Sequence, residues 1–200
     1  IALGAGGENG SAITDQHRIC IDNIVLEKTS APEIDVPVGK NLITNSEFEM
    51  SEDGSLAGWE NAVTAPGDAT FEAGDGKITY SVENVGEADW NIQLKQMGLS
   101  LEQGESYTLK CTLVSDVDRV VKVAVMTPSA GYAWHGGEDV VLTAGEAKDV
   151  TLTITPKEEV FTDGITVDTG AGLFFSMGYV EGYTLGAHTV SISNVSFVKN

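Results

Sequence analysis

The 200-residue chain has only two cysteines, Cys20 and Cys111, too few for a disulfide framework. Basic residues are scarce: 11 stand against 30 acidic ones, a formal charge of −19. A surface of that sign repels phosphate backbones and anionic lipid, so neither nucleic acid nor membrane is expected as a partner, and neutral or cationic ligands are favoured. No apolar run approaches the ~20 residues that span a bilayer. No stretch keeps a 3.6-residue apolar period long enough for a helix. The sequence also lacks HExxH, GxSxG and Walker A motifs. Both cysteines fall in expected strands with no sign of an activated thiol. Thirty carboxylates guarantee many acid pairs, so spacing alone cannot single out a glycosidase dyad. Catalysis has no sequence signal here.

What is present is short β-rich runs punctuated by Gly, Asp, Ser and Thr. The expected strands are Leu42–Asn45, Ala69–Glu72, Lys77–Val82, Asn91–Met97, Ser106–Ser115, Val120–Met126, Asp139–Leu142, Lys148–Ile154, Gly172–Gly178 and His188–Val198. Tyr107, Leu109, Cys111 and Leu113 alternate with Thr108, Lys110 and Thr112, which marks a strand with one face in a core. Many short strands at this spacing predict an all-β domain, a β-sandwich of jelly-roll type.

The chain also ends twice. HRICIDNIVLEK at residues 17–28 is answered by HTVSISNVSFVK from His188, and upstream ALG (Ala2–Gly4) is answered by SMG (Ser176–Gly178). A module finished twice but started once reads as a cut from a tandem array. Residues 1–30 are then the last strands of a preceding module, residues 31–40 a proline-bearing linker, and residues 41–200 a complete domain. Cys20 and Cys111 lie on opposite sides of that boundary, so no disulfide is expected between them. The chain opens at IALG without an initiator Met, so a secretion signal would lie upstream.

Three stretches carry a resemblance: NLITNSEFEMSEDGSLAGWE from Asn41, GEADWNIQLKQMGLSLEQGESYTLKC ending at Cys111, and HTVSISNVSFVKN at the C-terminus. In this order and spacing they resemble the family 4 carbohydrate-binding modules and their relatives in families 9, 16 and 22, over essentially all of residues 41–200. The resemblance implies a galactose-binding-like jelly roll that holds one glycan chain in a cleft and is attached to a secreted glycoside hydrolase. The expected ligand is a β-glucan chain, cellulose-type or mixed, with xylan next. The expected partner is a catalytic domain in the same polypeptide, and the expected location is extracellular.

Sugar chains present CH faces and hydroxyl edges, so a cleft needs flat rings to stack and amides to bond. DWNIQ supplies both. If Ile92 and Leu94 face the core, Asn91 and Gln93 face the other side. The resemblance implies that Trp90 stacks on a sugar and Gln93 bonds hydroxyls. In the loop SAGYAWHGG, Tyr132 and Trp134 share one side if the segment is extended, with His135 turned away; exposed loop aromatics point to binding. Ser176 matches a ligand-facing position, and Tyr179 and Tyr183 could extend the platform. Trp59 is expected in the core, and His17 and His188 at strand entries.

The family also holds a structural calcium away from the cleft. The matching positions are Glu49, Asp75, the carbonyls of Glu47 and Lys77, and a last-strand Asp that is Ser193 here and Asp22 in the first copy. Calcium takes six to eight oxygens, so the loss of that carboxylate predicts a weakened site. Two other readings compete with glycan binding: a spacer or adhesion sandwich that buries Tyr132 and Trp134 against another domain, and a small jelly-roll hydrolase or lyase.

Overall fold

In the computed structural model, which describes residues 35–162 and 164–200, the alternation in Tyr107–Leu113 becomes a strand with Tyr107, Leu109, Cys111 and Leu113 buried. The chain divides into two units, residues 1–33 and 34–200, and the second is described here. The first ending of the repeat, with His17, Cys20 and Asp22, lies outside the described residues.

Ten strands follow in order: β1 (Glu60–Val63), β2 (Asp68–Gly74), β3 (Lys77–Asn84), β4 (Ile92–Glu102), β5 (Tyr107–Ser115), β6 (Arg119–Thr127), β7 (Ala133–Leu142), β8 (Lys148–Ile154), β9 (Val167–Ser176) and β10 (His188–Lys199). They form two five-stranded sheets, β1-β4-β9-β6-β7 and β2-β3-β10-β5-β8, with every strand pair antiparallel. Only β2–β3 and β6–β7 connect neighbours within a sheet; the other connections from β3 onward cross between layers, as a jelly roll requires. Ile92, Leu94, Val121, Val123, Leu173 and Phe175 from one sheet meet Ile78, Tyr80, Leu109, Leu113, Ile192 and Phe197 from the other, all buried. Burial of such apolar faces is the main force holding the layers together.

Two expectations are corrected. Leu42–Asn45 is no strand. Leu42 donates to the Phe197 carbonyl (2.8 Å), and the Gln96 carboxamide brackets Thr44, accepting its N–H (2.7 Å) and donating to its carbonyl (2.8 Å). At Thr44 a buried side chain thus takes the place of a neighbouring strand. In the expected linker 31–40, the described part from Val36 is docked. Val36 is buried and donates to the Glu102 carboxylate (2.9 Å), and Val38 bridges Lys199 in parallel. Burying a valine and pairing its N–H hold the segment on the domain. Trp59 is buried as expected, against Phe48 and Phe175, with its indole N–H on the Asn45 carbonyl (3.0 Å).

Candidate functional site

Side chains alternate across a sheet, and register-paired residues project to the same side. The pairings of β1-β4-β9-β6-β7 therefore order its outward face into three rows. The first runs Ala62, Gln93, Ser176, Lys122, Asp139; the second Glu60, Lys95, Phe174, Ala124, Gly137; the third Met97, Gly172, Met126, Trp134. From Gln93 to Trp134 the diagonal is about 20 Å, taking ordinary strand rise and spacing.

Polar groups fill the first row. Gln93 donates from Nε2 to the Ser176 hydroxyl (2.9 Å), leaving its amide oxygen free of a side-chain partner among the described residues. Lys122 pairs with Asp89, and this hydrogen bond raises the ammonium pKa. In the second row, Lys95 pairs with Glu60 (2.9 Å). The third row is apolar, and glycines in the second and third rows make the face flat there. A Cβ on Gly172 would meet the Met97 sulfur at 2.5 Å and the Phe174 ring at 3.0 Å, and one on Gly137 would meet the Trp134 indole at 2.6 Å. The rings and the thioether lie down over the two bare positions.

Trp90 stands at the Gln93 end, 63% exposed, on the short turn Asp89–Asn91. That turn is tied to the chain after β9: Met177 donates to the Ile92 carbonyl (2.8 Å), Gly178 to Asp89 (2.9 Å) and Tyr179 to Ala88 (3.1 Å). Tyr179 is half-exposed beside it. At the far end Trp134 is 40% and Tyr132 62% exposed. The segment read as the loop Ser129–Gly137 is only partly one, because β7 begins at Ala133. Tyr132 has φ +61°, outside the strand, so the pleat does not set it on the same side as Trp134. His135 is buried, turned away as expected.

Asn91 departs from expectation. It does not face outward with Gln93 but is buried under the turn. Its oxygen accepts the N–H groups of Glu87 (2.9 Å) and Ala88 (2.8 Å), and its nitrogen donates to the Thr64 carbonyl (3.1 Å). The strand period does not reach Asn91 because the turn ends there, so its carboxamide holds up Trp90 rather than the ligand. Sequence reading missed Lys95, Lys122, Asp89, Met97 and Phe174. The alternation Lys122–Ala124–Met126 within the valine run of β6 was the signal that could have shown the outward face.

The expected calcium positions fall in the turn and loop before β1, in the turn between β2 and β3, and at the β3–β10 pair. Gly76 donates to the Glu47 carbonyl (3.0 Å), and Lys77 is paired with Ser193 across β3 and β10. Asp75 sits in the β2–β3 turn at φ +53°. Glu49 is in a loop closed by Asn45, which bonds both its N–H (2.8 Å) and its carbonyl (2.9 Å). The donors fit a hard cation in kind but not in number: among the described residues, no three Asp, Glu, His or Cys side chains converge.

One group has the components of a nucleophilic triad in another order. The Thr127 hydroxyl lies between the His135 imidazole (2.8 Å to Nε2) and the Asp168 carboxylate. His135 Nδ1 accepts the Lys157 N–H (3.0 Å), so the ring proton sits on Nε2 and points at Thr127. The imidazole cannot take the hydroxyl proton as a general base, as nucleophilic catalysis requires. Burial lowers the His135 pKa and keeps the ring neutral. Cys111 is equally unreactive: buried, with its thiol pushed up to about 12 by desolvation.

A family model described as a carbohydrate binding domain matches residues 40–169. No curated protein matches the chain. Among solved structures, one titled "CBM4 structure and function" is 19% identical, with a TM-score of 0.62 over 79% of this chain and 99% of its own. The N-terminal cellulose-binding domain of Cellulomonas fimi β-1,4-glucanase C is 20% identical, with a TM-score of 0.56 over 80% of this chain and 98% of its own. The second N-terminal cellulose-binding domain of the same enzyme is 22% identical, with a TM-score of 0.55 over 80% and 94%.

Proposed function

The chain belongs to the family 4/9 carbohydrate-binding domains, and from that premise we propose that it binds a single β-glucan chain on the outward face of β1-β4-β9-β6-β7, without cleaving it. The observation that carries this reading is the arrangement of that face. Exposed rings stand at both ends of a diagonal, Trp90 and Tyr179 at one and Trp134 at the other, with Gln93, Ser176 and Lys122 between them or beside them and the exposed Tyr132 just before β7. Rings supply stacking on sugar CH faces, and Gln93, oriented by the buried Ser176, offers its amide oxygen to a sugar hydroxyl. Each stacked sugar would contribute on the order of 1 kcal/mol. A spacer that buried its aromatics against a neighbour is less well supported, because the same face carries the charged pairs Lys122–Asp89 and Lys95–Glu60, which such an interface would have to desolvate.

The cellulose-binding relatives from a β-1,4-glucanase support β-1,4-glucan as the ligand and a secreted hydrolase in the same polypeptide as the partner. The domain then acts by targeting, raising the effective concentration of the catalytic domain at its substrate. Calcium, if held, would sit among the Glu47, Glu49, Asp75, Lys77 and Ser193 positions and bind weakly, since a hydroxyl stands where a charged ligand is expected.

Titration with β-1,4-glucan, mixed-linkage β-glucan, laminarin and xylan oligosaccharides tests the proposal. Trp90→Ala should lose most β-glucan affinity with an unchanged unfolding midpoint. Equal binding by that variant removes Trp90 from the site, and tighter binding of xylan replaces the ligand. Release of reducing sugar by the purified chain would overturn the non-catalytic reading.

A further inference from the structure

At the opposite end of β9 from Trp90, a cavity of about 430 Å³ opens beside the start of β9, the end of β6 and the segment between β8 and β9. That size falls within the ~300–1,000 Å³ of small-molecule sites. Its wall is apolar at Val160 and Ile165 and polar at Ser129, Thr162 and Thr169, with two carboxylates, Asp168 and Glu159. Asp168 is nine-tenths buried. Its Oδ1 accepts the Gly170 N–H (2.8 Å), and its other oxygen accepts the Thr127 hydroxyl. An ionised carboxylate has about four acceptor positions, so two remain for hydroxyl donors. Its orientation is fixed, because Thr127 is itself held by the His135 Nε2–H and His135 by the Lys157 N–H. Gly170 keeps the approach open: a Cβ there would stand 3.3 Å from Asp168 Oδ1 and 3.2 Å from the Ser129 hydroxyl.

A preset carboxylate with unspent acceptors, facing an aliphatic wall, is complementary to a sugar ring. Neighbouring hydroxyls bond the carboxylate and the CH face lies on Val160 and Ile165. We propose that this cavity is a second glycan site, separate from the outward face, which takes one neutral sugar unit from a chain terminus or a branch. The proposal rests on the carbohydrate-binding reading of the chain but not on the face described above.

Amide spectra of the ¹⁵N-labelled full chain, titrated with cellobiose, xylobiose and arabinose, separate the two sites. The amides of Ser129, Thr169 and Gly170 should move with at least one sugar. They should still move in the double variant Trp90→Ala, Trp134→Ala, and respond at least tenfold more weakly in Thr162→Trp. Ile165→Arg, at another exposed wall position, gives the same outcome through a second substitution. Shifts confined to Gln93 and Lys122 would overturn the second site while leaving the face reading intact. Shifts confined to the cavity would support the second site and sink the face. Cavity shifts with calcium chloride and none with any sugar would overturn the proposal.

Discussion

Gln93 and Asn91 are two residues apart in the same motif, yet their carboxamides do opposite work. Gln93 shares a hydrogen bond with Ser176 on the outward face, and Asn91 is enclosed beneath the turn. Asn91→Ala strands the Glu87 and Ala88 N–H groups, so stability should fall by about 1–3 kcal/mol in a denaturant titration. Gln93→Ala should leave stability within about 0.5 kcal/mol and weaken glycan binding several-fold. If the two variants behave alike, the division of roles fails. The outward placing of Gln93 was legible because its neighbours Ile92 and Leu94 follow the strand period, whereas Trp90 and Ser176 were singled out by the family resemblance. The placing of Asn91 was not legible, because the period stops at a turn whose geometry no local pattern announces. In the proposed calcium site Ser193 offers a hydroxyl in place of a carboxylate. Ser193→Asp should therefore strengthen calcium binding in calorimetry, and the original chain should show little rise in melting temperature with calcium.

The element that presents Trp90 is a three-residue turn, too short to hold itself. Its order comes from the backbone of residues 177–179 and from the Lys122–Asp89 pair. Gly178 permits this contact, since a Cβ there would lie 2.2 Å from the Ala88 carbonyl oxygen. Gly178→Ala must push the turn away, so it should lower both the melting temperature and the affinity, whereas Trp90→Ala lowers affinity alone. Nine of the ten expected strands exist, because alternation and turn residues are local signals. The false one, Leu42–Asn45, has β-type residues, but only Leu42 bonds a strand, β10, and Thr44 is bracketed by the Gln96 side chain instead. Overlooked β1 is four residues long with no alternating burial to betray it. The glycines that flatten the face, Gly137 and Gly172, were visible only as glycines, because what lies over them is set by register between distant strands.

Across the whole molecule, two buried histidines impose an acid limit. His188 accepts from Arg119 at Nε2 and donates from Nδ1 to the Gly186 carbonyl (2.7 Å), while Arg119 is fully buried and drawn down to about 10 by desolvation. Burial is the leading cause that lowers both His135 and His188 below 6.5. With folded pKa values beneath the unfolded one, the unfolded chain binds more protons in the interval between them. Stability should be constant above about pH 6.5 on this account and decline as pH falls through that interval. His188→Gln should flatten the decline, and a stability profile flat from pH 7 to 5 would contradict the reading. The two rings also carry their single protons on different nitrogens: Nδ1 in His188, Nε2 in His135. One long-range ¹⁵N correlation spectrum would therefore display both neutral tautomers side by side. Each would serve as an internal reporter for its own end of β9, so that sugar entering the cavity could be told from sugar lying across the strands without any substitution.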